Sequence, residues 1–286
     1  MPAWSGCDDG DKPICSVIRA IVLALAVVWG AVPAAARGMQ VFDLDTRAPV
    51  TPDKTWADLL RQIFPDLRRE TGKDGKIGYV VGGQTDLRPI SKDSFTDDCS
   101  NFSPRIEYLN YALLEIGENM RVVVGVTTEG DACFGALALF DGKGDAKLLD
   151  VANIQQDMHY GYPDDLARRL GADGWLVVAD SFHTNTSNSP DNDILVLVTA
   201  DKLSFIDNVG SDGEWDCEHH RGIGEDSYVV VTPDYGPFDR ITGYVKRTVQ
   251  PVAEDCRTPQ GKPAITITRT DWRWNAAKKA YRKVSP

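Results

Sequence analysis

Residues 194–209 read ILVLVTADKLSFIDNV, in which two apolar runs are separated by the polar turn Ala200-Asp201-Lys202. Each run is shorter than a typical helix and is rich in Val, Ile, Leu and Phe, a composition that is typical of β-strands. A short polar break between two such runs predicts a β-hairpin. This stretch therefore predicts antiparallel β-structure, and the same pattern extends to most of the chain.

The strand–turn–strand pattern recurs on both sides of this hairpin. Residues 134–140 and 147–154 flank the turn-forming segment 141–144, and residues 227–232 and 241–249 form a later pair. Further apolar runs predict strands at residues 77–81, 120–128, 175–182, 264–274 and 280–284. The sequence therefore predicts a mainly β fold, an antiparallel meander or sandwich-like domain with a short N-terminal helix. The alternative is a small irregular β-propeller, because three of the hairpins look alike but are unevenly spaced.

Two segments are ambiguous. In residues 106–116 the apolar residues fall at helical spacing, but the neighbouring strands favour a strand there as well. Residues 164–170 predict one or two turns of helix.

Residues 265–268 alternate as Ile-Thr-Ile-Thr, which is typical of a strand with one apolar face. Trp272 and Trp274 fall on the threonine side of that alternation. A β-bulge within residues 269–271 would bring the isoleucines and the tryptophans to the same face, and we expect one there.

The N-terminal helix is predicted for residues 55–64. Thr55 is a good capping residue, and Pro65 limits the helix at its other end. The apolar residues between them share one helical face: Trp56, Leu59, Leu60, Ile63 and Phe64. We therefore expect an N-terminal segment, residues 37–75, that carries this helix, followed by a β-rich domain, residues 76–286.

Residues 20–36 read AIVLALAVVWGAVPAAA and are typical of a secretory signal. The run ends in three alanines, which suit signal peptidase, and Gly30 and Pro33 interrupt it, which disfavours a membrane-spanning helix. The sequence thus predicts a signal peptide at residues 1–36 and a periplasmic or extracellular (secreted) product. After cleavage we expect no integral membrane span.

The net charge of the chain is −11. An acidic surface repels phosphate backbones and anionic lipid headgroups, and no run of basic residues reverses this locally. The composition therefore disfavours nucleic acid as a partner and electrostatic docking on membranes.

Four of the six cysteines lie beyond the predicted signal. An even number of cysteines in an exported chain predicts disulfides. Each of two predicted strand pairs is bracketed by two cysteines, and antiparallel strands return the chain to the end where it began. We therefore expect the disulfides Cys99–Cys133 and Cys217–Cys256.

Two polar segments are candidate binding sites. His183 opens a loop of Asn, Ser and Thr residues that ends near Asp191, and polar loops on a rigid sheet often carry function. Residues 158–163 group three rings in a turn, and exposed rings bind sugars or protein partners. The predicted contact residues are His159, Tyr160, Tyr162, His183, Asn185 and Asp191.

The other chemical motifs are weak. Cys217-Glu218-His219-His220 offers metal ligands, but adjacent side chains of an extended segment point to opposite sides, so we predict no metal and no cofactor. Asp180, Ser181 and His183 contain the residue types of a hydrolase triad, yet no G-x-S-x-G motif accompanies them. The sequence predicts no catalytic residues.

These observations favour a non-enzymatic binding or envelope accessory protein with a protein or glycan partner. One alternative is a hydrolase that uses His183 with nearby carboxylates. The other is a purely structural envelope component.

Overall fold

The computed structural model describes residues 38–39, 44–72, 75, 77–82, 87–94, 105–128, 135–156, 159–162, 167–182, 191–211, 213–216, 218–234, 236–255 and 258–284. The predicted signal peptide lies outside these residues. So do His183, Asn185 and all four cysteines of the expected disulfides, Cys99, Cys133, Cys217 and Cys256. Residues 36–286 belong to one compact unit, and the described residues of that unit are mainly β-structure, as the sequence predicts.

Within residues 44–82, as far as the structure describes them, the chain forms one short helix and two small hairpins. Helix α1 spans Trp56–Leu60 and begins with a capping box, in which Thr55 and Asp58 exchange hydrogen bonds between side chain and backbone. The helix ends at Leu60, earlier than predicted, although Ile63 and Phe64 are still buried in the turn that follows. The hairpin strands are β2 (Arg47–Ala48) with β3 (Thr51–Thr55), and β4 (Arg68–Thr71) with β5 (Ile77–Val80).

The first large sheet is an antiparallel meander in the order β1-β6-β7-β8-β9. Residues 106–116 form a strand, because Ala112, Leu114 and Ile116 are buried at alternate positions while Leu113 is exposed. Its strands are β1 (Gly38–Met39), β6 (Ile106–Ile116), β7 (Asn119–Thr128), β8 (Ala136–Asp141) and β9 (Leu148–Asn153).

The second sheet follows the order β10-β12-β13-β14, and β11 also pairs with β12. The helical prediction for residues 164–170 is wrong for the described residues 167–169, which form a strand paired with Trp175–Val177. A tight turn closed by the Leu170 N–H on the Gly174 carbonyl folds them back into the sheet. Its strands are β10 (His159–Gly161), β11 (Ala167–Arg169), β12 (Trp175–Phe182), β13 (Asp191–Val198) and β14 (Leu203–Ser211).

The third sheet follows the order β15-β16-β17-β18-β19. Its strands are β15 (Gly213–Asp216), β16 (Arg221–Thr232), β17 (Arg240–Pro251), β18 (Ala264–Asn275) and β19 (Ala280–Val284). The strands β17 and β18 pair in unbroken register from Ile241 opposite Trp272 to Val249 opposite Ala264, so the expected bulge within residues 269–271 is absent from this described pair.

The unbroken register settles which face of β18 is buried. The tryptophans and the threonines share one face, and Trp272 is buried against the second sheet. Ile265 and Ile267 lie on the opposite face and are 56% and 59% exposed. The bulge prediction was wrong because it assumed that every apolar residue of the strand faces a core.

The three sheets pack face to face in chain order. The first core lies between helix α1 and one face of the first sheet, and contains Trp56 and Phe140. The second core joins the first sheet to the second, for example through Leu137 and Val177. The third core joins the second sheet to the third, with Trp272 at its centre. Among the described residues no core joins the first sheet to the third.

No helix in the described part of the chain is long and apolar enough to cross a membrane.

Candidate functional site

The described residues of the two segments that the sequence singles out, His159 to Tyr162 and Asp191, lie at one end of the second sheet. Strand β10 places His159 opposite Phe182, and β13 places Asp191 opposite Phe182 from the other side. Tyr160 pairs with Ser181 in the next row of the same sheet. His183 follows Phe182 in sequence but lies outside the described residues, as does Asn185.

Tyr162 has a structural role in this arrangement. Its hydroxyl donates a hydrogen bond of 2.8 Å to the Ala136 carbonyl of the first sheet, and its own carbonyl accepts one from the Asn110 amide. Its ring lies so close to Gly125 that a Cβ there would be 2.5 Å from a ring carbon. The half-buried Tyr162 therefore anchors the end of β10 to the first sheet.

Asp180 and Asp193 form a pair of carboxyl groups at this end of the sheet. They are direct partners in the β12–β13 register, so both side chains lie on the face turned toward the third sheet. Burial raises the pKa of Asp180 to about 7, and a hydrogen bond to Asp193 and the negative charge of that residue add to the effect. At neutral pH Asp180 therefore holds a proton for much of the time.

Two further groups adjoin this pair. Ser227 of the third sheet donates a 2.6 Å hydrogen bond to Asp193 Oδ2. Asp191 lies on the same face by strand alternation, and burial raises the pKa of its carboxyl group as well. Its Oδ1 atom is buried and has no hydrogen-bond partner among the described residues.

Ser181 faces the opposite side of the second sheet from Asp180. It is fully buried, and its hydroxyl accepts a hydrogen bond from the Gln156 N–H. Neighbouring residues of a strand point to opposite faces, so Asp180 and Ser181 do not belong to one catalytic set.

The sequence missed Asp193 as a candidate. Asp193 follows two residues after Asp191 in sequence, and only the register of β12 with β13 reveals that it faces Asp180.

The His219-His220 segment forms an exposed turn. His219 Nδ1 lies 2.9 Å from Asp216 Oδ1, and Arg221 Nε donates to Asp216 Oδ2 at 2.7 Å. The hydrogen bond from His219 lowers the pKa of Asp216 to about 2, and the Arg221 hydrogen bond acts in the same direction. No group of three potential ligands in the described part of the chain could hold a metal ion.

A second candidate site is the outer face of the third sheet, which the sequence did not single out. Tyr228 and Tyr244 are direct partners on β16 and β17, and their rings stack with centroids 4.8 Å apart. Strand alternation places Val230, Ile265 and Ile267 on the same face. We call these five residues the outer patch.

The outer patch is exposed and bordered by charges of both signs. Tyr228 is 47% exposed, and Val230 is also exposed, as are both isoleucines. Beside the patch Lys246 Nζ lies 3.3 Å from Asp226 Oδ2, and Arg269 Nη2 lies 2.8 Å from Asp271 Oδ2. The arrangement is an apolar centre with a polar rim, which resembles the anatomy of protein–protein interfaces.

No family model, no curated protein and no solved structure matches this chain. Proposals about its function consequently rest on its own residues.

Proposed function

We propose that this protein is an exported, non-enzymatic binding protein and that the outer patch is its contact surface for a partner. The observation that carries the proposal is the exposure of Tyr228, Val230, Ile265 and Ile267 on one face of one sheet. Single exposed apolar residues are common, but clustered ones with a polar rim typically mark an interaction site.

The side chains of the outer patch favour a protein partner over a glycan. Tyr228 and Tyr244 stack on each other, so each ring has only one face left for a sugar. The remaining members are aliphatic and fit apolar side chains of another protein. Lys246 and Arg269 at the rim can donate hydrogen bonds to carboxylates or carbonyl groups of that partner.

Export is supported by the sequence of residues 20–36, whose apolar run and terminal alanines are typical of a cleaved signal. A periplasmic or extracellular location also gives the cysteines an oxidising environment.

Affinity capture from the native envelope tests the binding role. Tyr228→Ser and Val230→Ser remove apolar surface from the outer patch. Ile77→Ser is the matched control, because Ile77 on β5 is 50% exposed and lies outside the patch. We expect the wild-type protein and the control to retain the same partner and both patch variants to lose it. Equal capture by all four proteins would contradict the proposal.

The carboxyl pair supports a second candidate, a hydrolase. A carboxyl group that holds a proton for much of the time near pH 7 is suited to general acid catalysis, and His183 follows Phe182 directly in sequence. We expect Asp180→Asn to abolish any turnover found with esters, peptides or glycosides. A wild-type protein inactive on all three classes would remove this candidate.

A further inference from the structure

Strand β18 has an open edge. Along one side β17 pairs with it from Ala264 to Trp272. Along the other side β19 pairs only with Asp271–Asn275. Residues 264–270 therefore have no strand partner on that side within the described part of the chain.

The corresponding edge of β16, at the other side of the same three strands, is covered over part of its length. Strand β15 pairs with the beginning of β16, from Arg221 to Gly224. Further along, Arg168 of the second sheet donates a 2.6 Å hydrogen bond to the Val229 carbonyl of β16. In β18, by comparison, every residue from Ala264 to Arg269 is exposed, on both faces of the sheet.

Residues 264–268, which lie between Pro263 and Arg269, carry none of the devices by which proteins protect an edge strand. Such edges usually carry a proline, a bulge or an inward-pointing charge, or they are very short. Residues 264–268 read AITIT, and their pairing with β17 is regular. β-Branched residues favour an extended strand, so this edge is ready to accept another strand.

We propose that this edge pairs with the same edge of a second copy of the chain, antiparallel and with a two-fold axis at Thr266. In this register Ile265 of each copy lies opposite Ile267 of the other, and the two Thr266 residues face each other. The isoleucines then meet on one face of the joined sheet and the threonines on the other, which are favourable cross-strand pairs. The segment is thus complementary to itself.

Charge also favours a second copy at this place. The chain carries a net charge of −11, so two copies repel each other over most of their surfaces. Residues 264–268 carry no charge, and Arg269 next to them is paired with Asp271. The edge is therefore a neutral strip along which two acidic molecules can approach.

Sedimentation of the purified protein over a range of concentrations tests the dimer. Ile265→Lys combined with Ile267→Lys would place four ammonium groups together across the two-fold axis. Ile77→Lys is the control, since that residue is similarly exposed on β5. We expect dimers that form with rising concentration for the wild type and the control, and monomers for the double variant. A wild type that remains monomeric at every concentration would overturn the proposal. This holds even if a different protein pairs with the edge.

Cysteine cross-linking tests the register. Directly opposed strand residues have Cα atoms about 4.5–5.5 Å apart, within the range that a disulfide spans. Thr266→Cys should therefore give a covalent dimer on mild oxidation, whereas Thr268→Cys, which lies opposite Ala264, should not. Equal cross-linking of both variants, or of neither, would contradict the proposed pairing.

The dimer edge shares Ile265 and Ile267 with the outer patch, so a variant at Tyr228, which lies in the patch but not on β18, separates the two proposals. Tyr228→Ser alters partner capture but leaves the β18 edge intact, so we expect that variant to dimerise like the wild type. The two proposals can therefore fail separately.

Discussion

Asp180 and Asp193 lie directly opposite each other on β12 and β13, and the burial of Asp180 together with the charge of Asp193 raises the pKa of Asp180. Asp191 faces the same space from β13, and Ser227 donates to Asp193 from the third sheet. This polar cluster lies in the junction between two sheets, so its protonation is linked to the stability of the fold.

The free energy of unfolding should fall as the pH rises toward neutrality, because Asp180 loses its proton. The pKa of Asp180 is raised to about 7 in the folded protein from 3.8, the ordinary value that it regains on unfolding. The contribution of Asp180 to the free energy of unfolding is fully present below about pH 4 and is lost as the pH rises through about 7. With allowance for partial solvent exposure, the loss is on the order of 2 kcal/mol.

Asp180→Asn should remove this dependence, because the amide donates to Asp193 at every pH. We expect the variant to be more stable than the wild type at pH 8 and nearly equal to it at pH 4, measured by urea unfolding. Asp226→Asn is the control, because that carboxyl group is 75% exposed. If the wild type is equally stable at both pH values, the pKa of Asp180 is not raised in the folded protein.

The contact between Tyr162 and Gly125 predicts a sharp steric effect. Gly125→Ala would place a Cβ 2.5 Å from the tyrosine ring, so we expect it to lower the free energy of unfolding by about 1–3 kcal/mol. Gly161→Ala, one residue before Tyr162, meets no atom within 4 Å and is the matched control. The melting temperatures of the two variants, measured by thermal denaturation, test this. Similar values for Gly125→Ala and Gly161→Ala would contradict the close contact.

The capping box of helix α1 predicts a smaller effect. Thr55→Ala removes the acceptor for the Asp58 N–H and should lower the free energy of unfolding by about 1 kcal/mol. Thr55→Ser keeps a hydroxyl in the same place and should retain most of the stability. Urea unfolding distinguishes them, and equal losses in both variants would point to the methyl group instead.

The disulfide and export predictions can be tested on the protein purified from its native source. We expect N-terminal sequencing to begin at Arg37 and peptide mapping without reduction to find Cys99–Cys133 and Cys217–Cys256. A Cys133–Cys217 link would show that the predicted meander does not set the pairing.

The hairpins were predictable because a run of β-branched residues and a polar turn encode local structure. Residues 194–209 form β13, a turn and β14 as expected from their composition. Residues 167–169 were not predictable, because their strand depends on pairing with β12 rather than on a local apolar pattern.

The candidate sites depend on long-range pairing, which explains why the sequence revealed only part of them. His159 and Asp191 were recognised separately, but their positions on either side of Phe182 follow from the register of three strands. The outer patch was missed because Ile265 and Ile267 have the composition of core residues, and sequence alone does not tell which face of a terminal sheet is covered.

In the described part of the chain the second and third cores each join two consecutive sheets, and this serial packing has a consequence for cooperativity. Loss of the third sheet would uncover Leu176 and Leu195 on the second sheet but leave the first two cores complete. Amide protons of β16 to β18 should therefore exchange with solvent through a partial opening of lower free energy than global unfolding. We therefore expect the third sheet to unfold before the first two sheets lose their protection from hydrogen exchange.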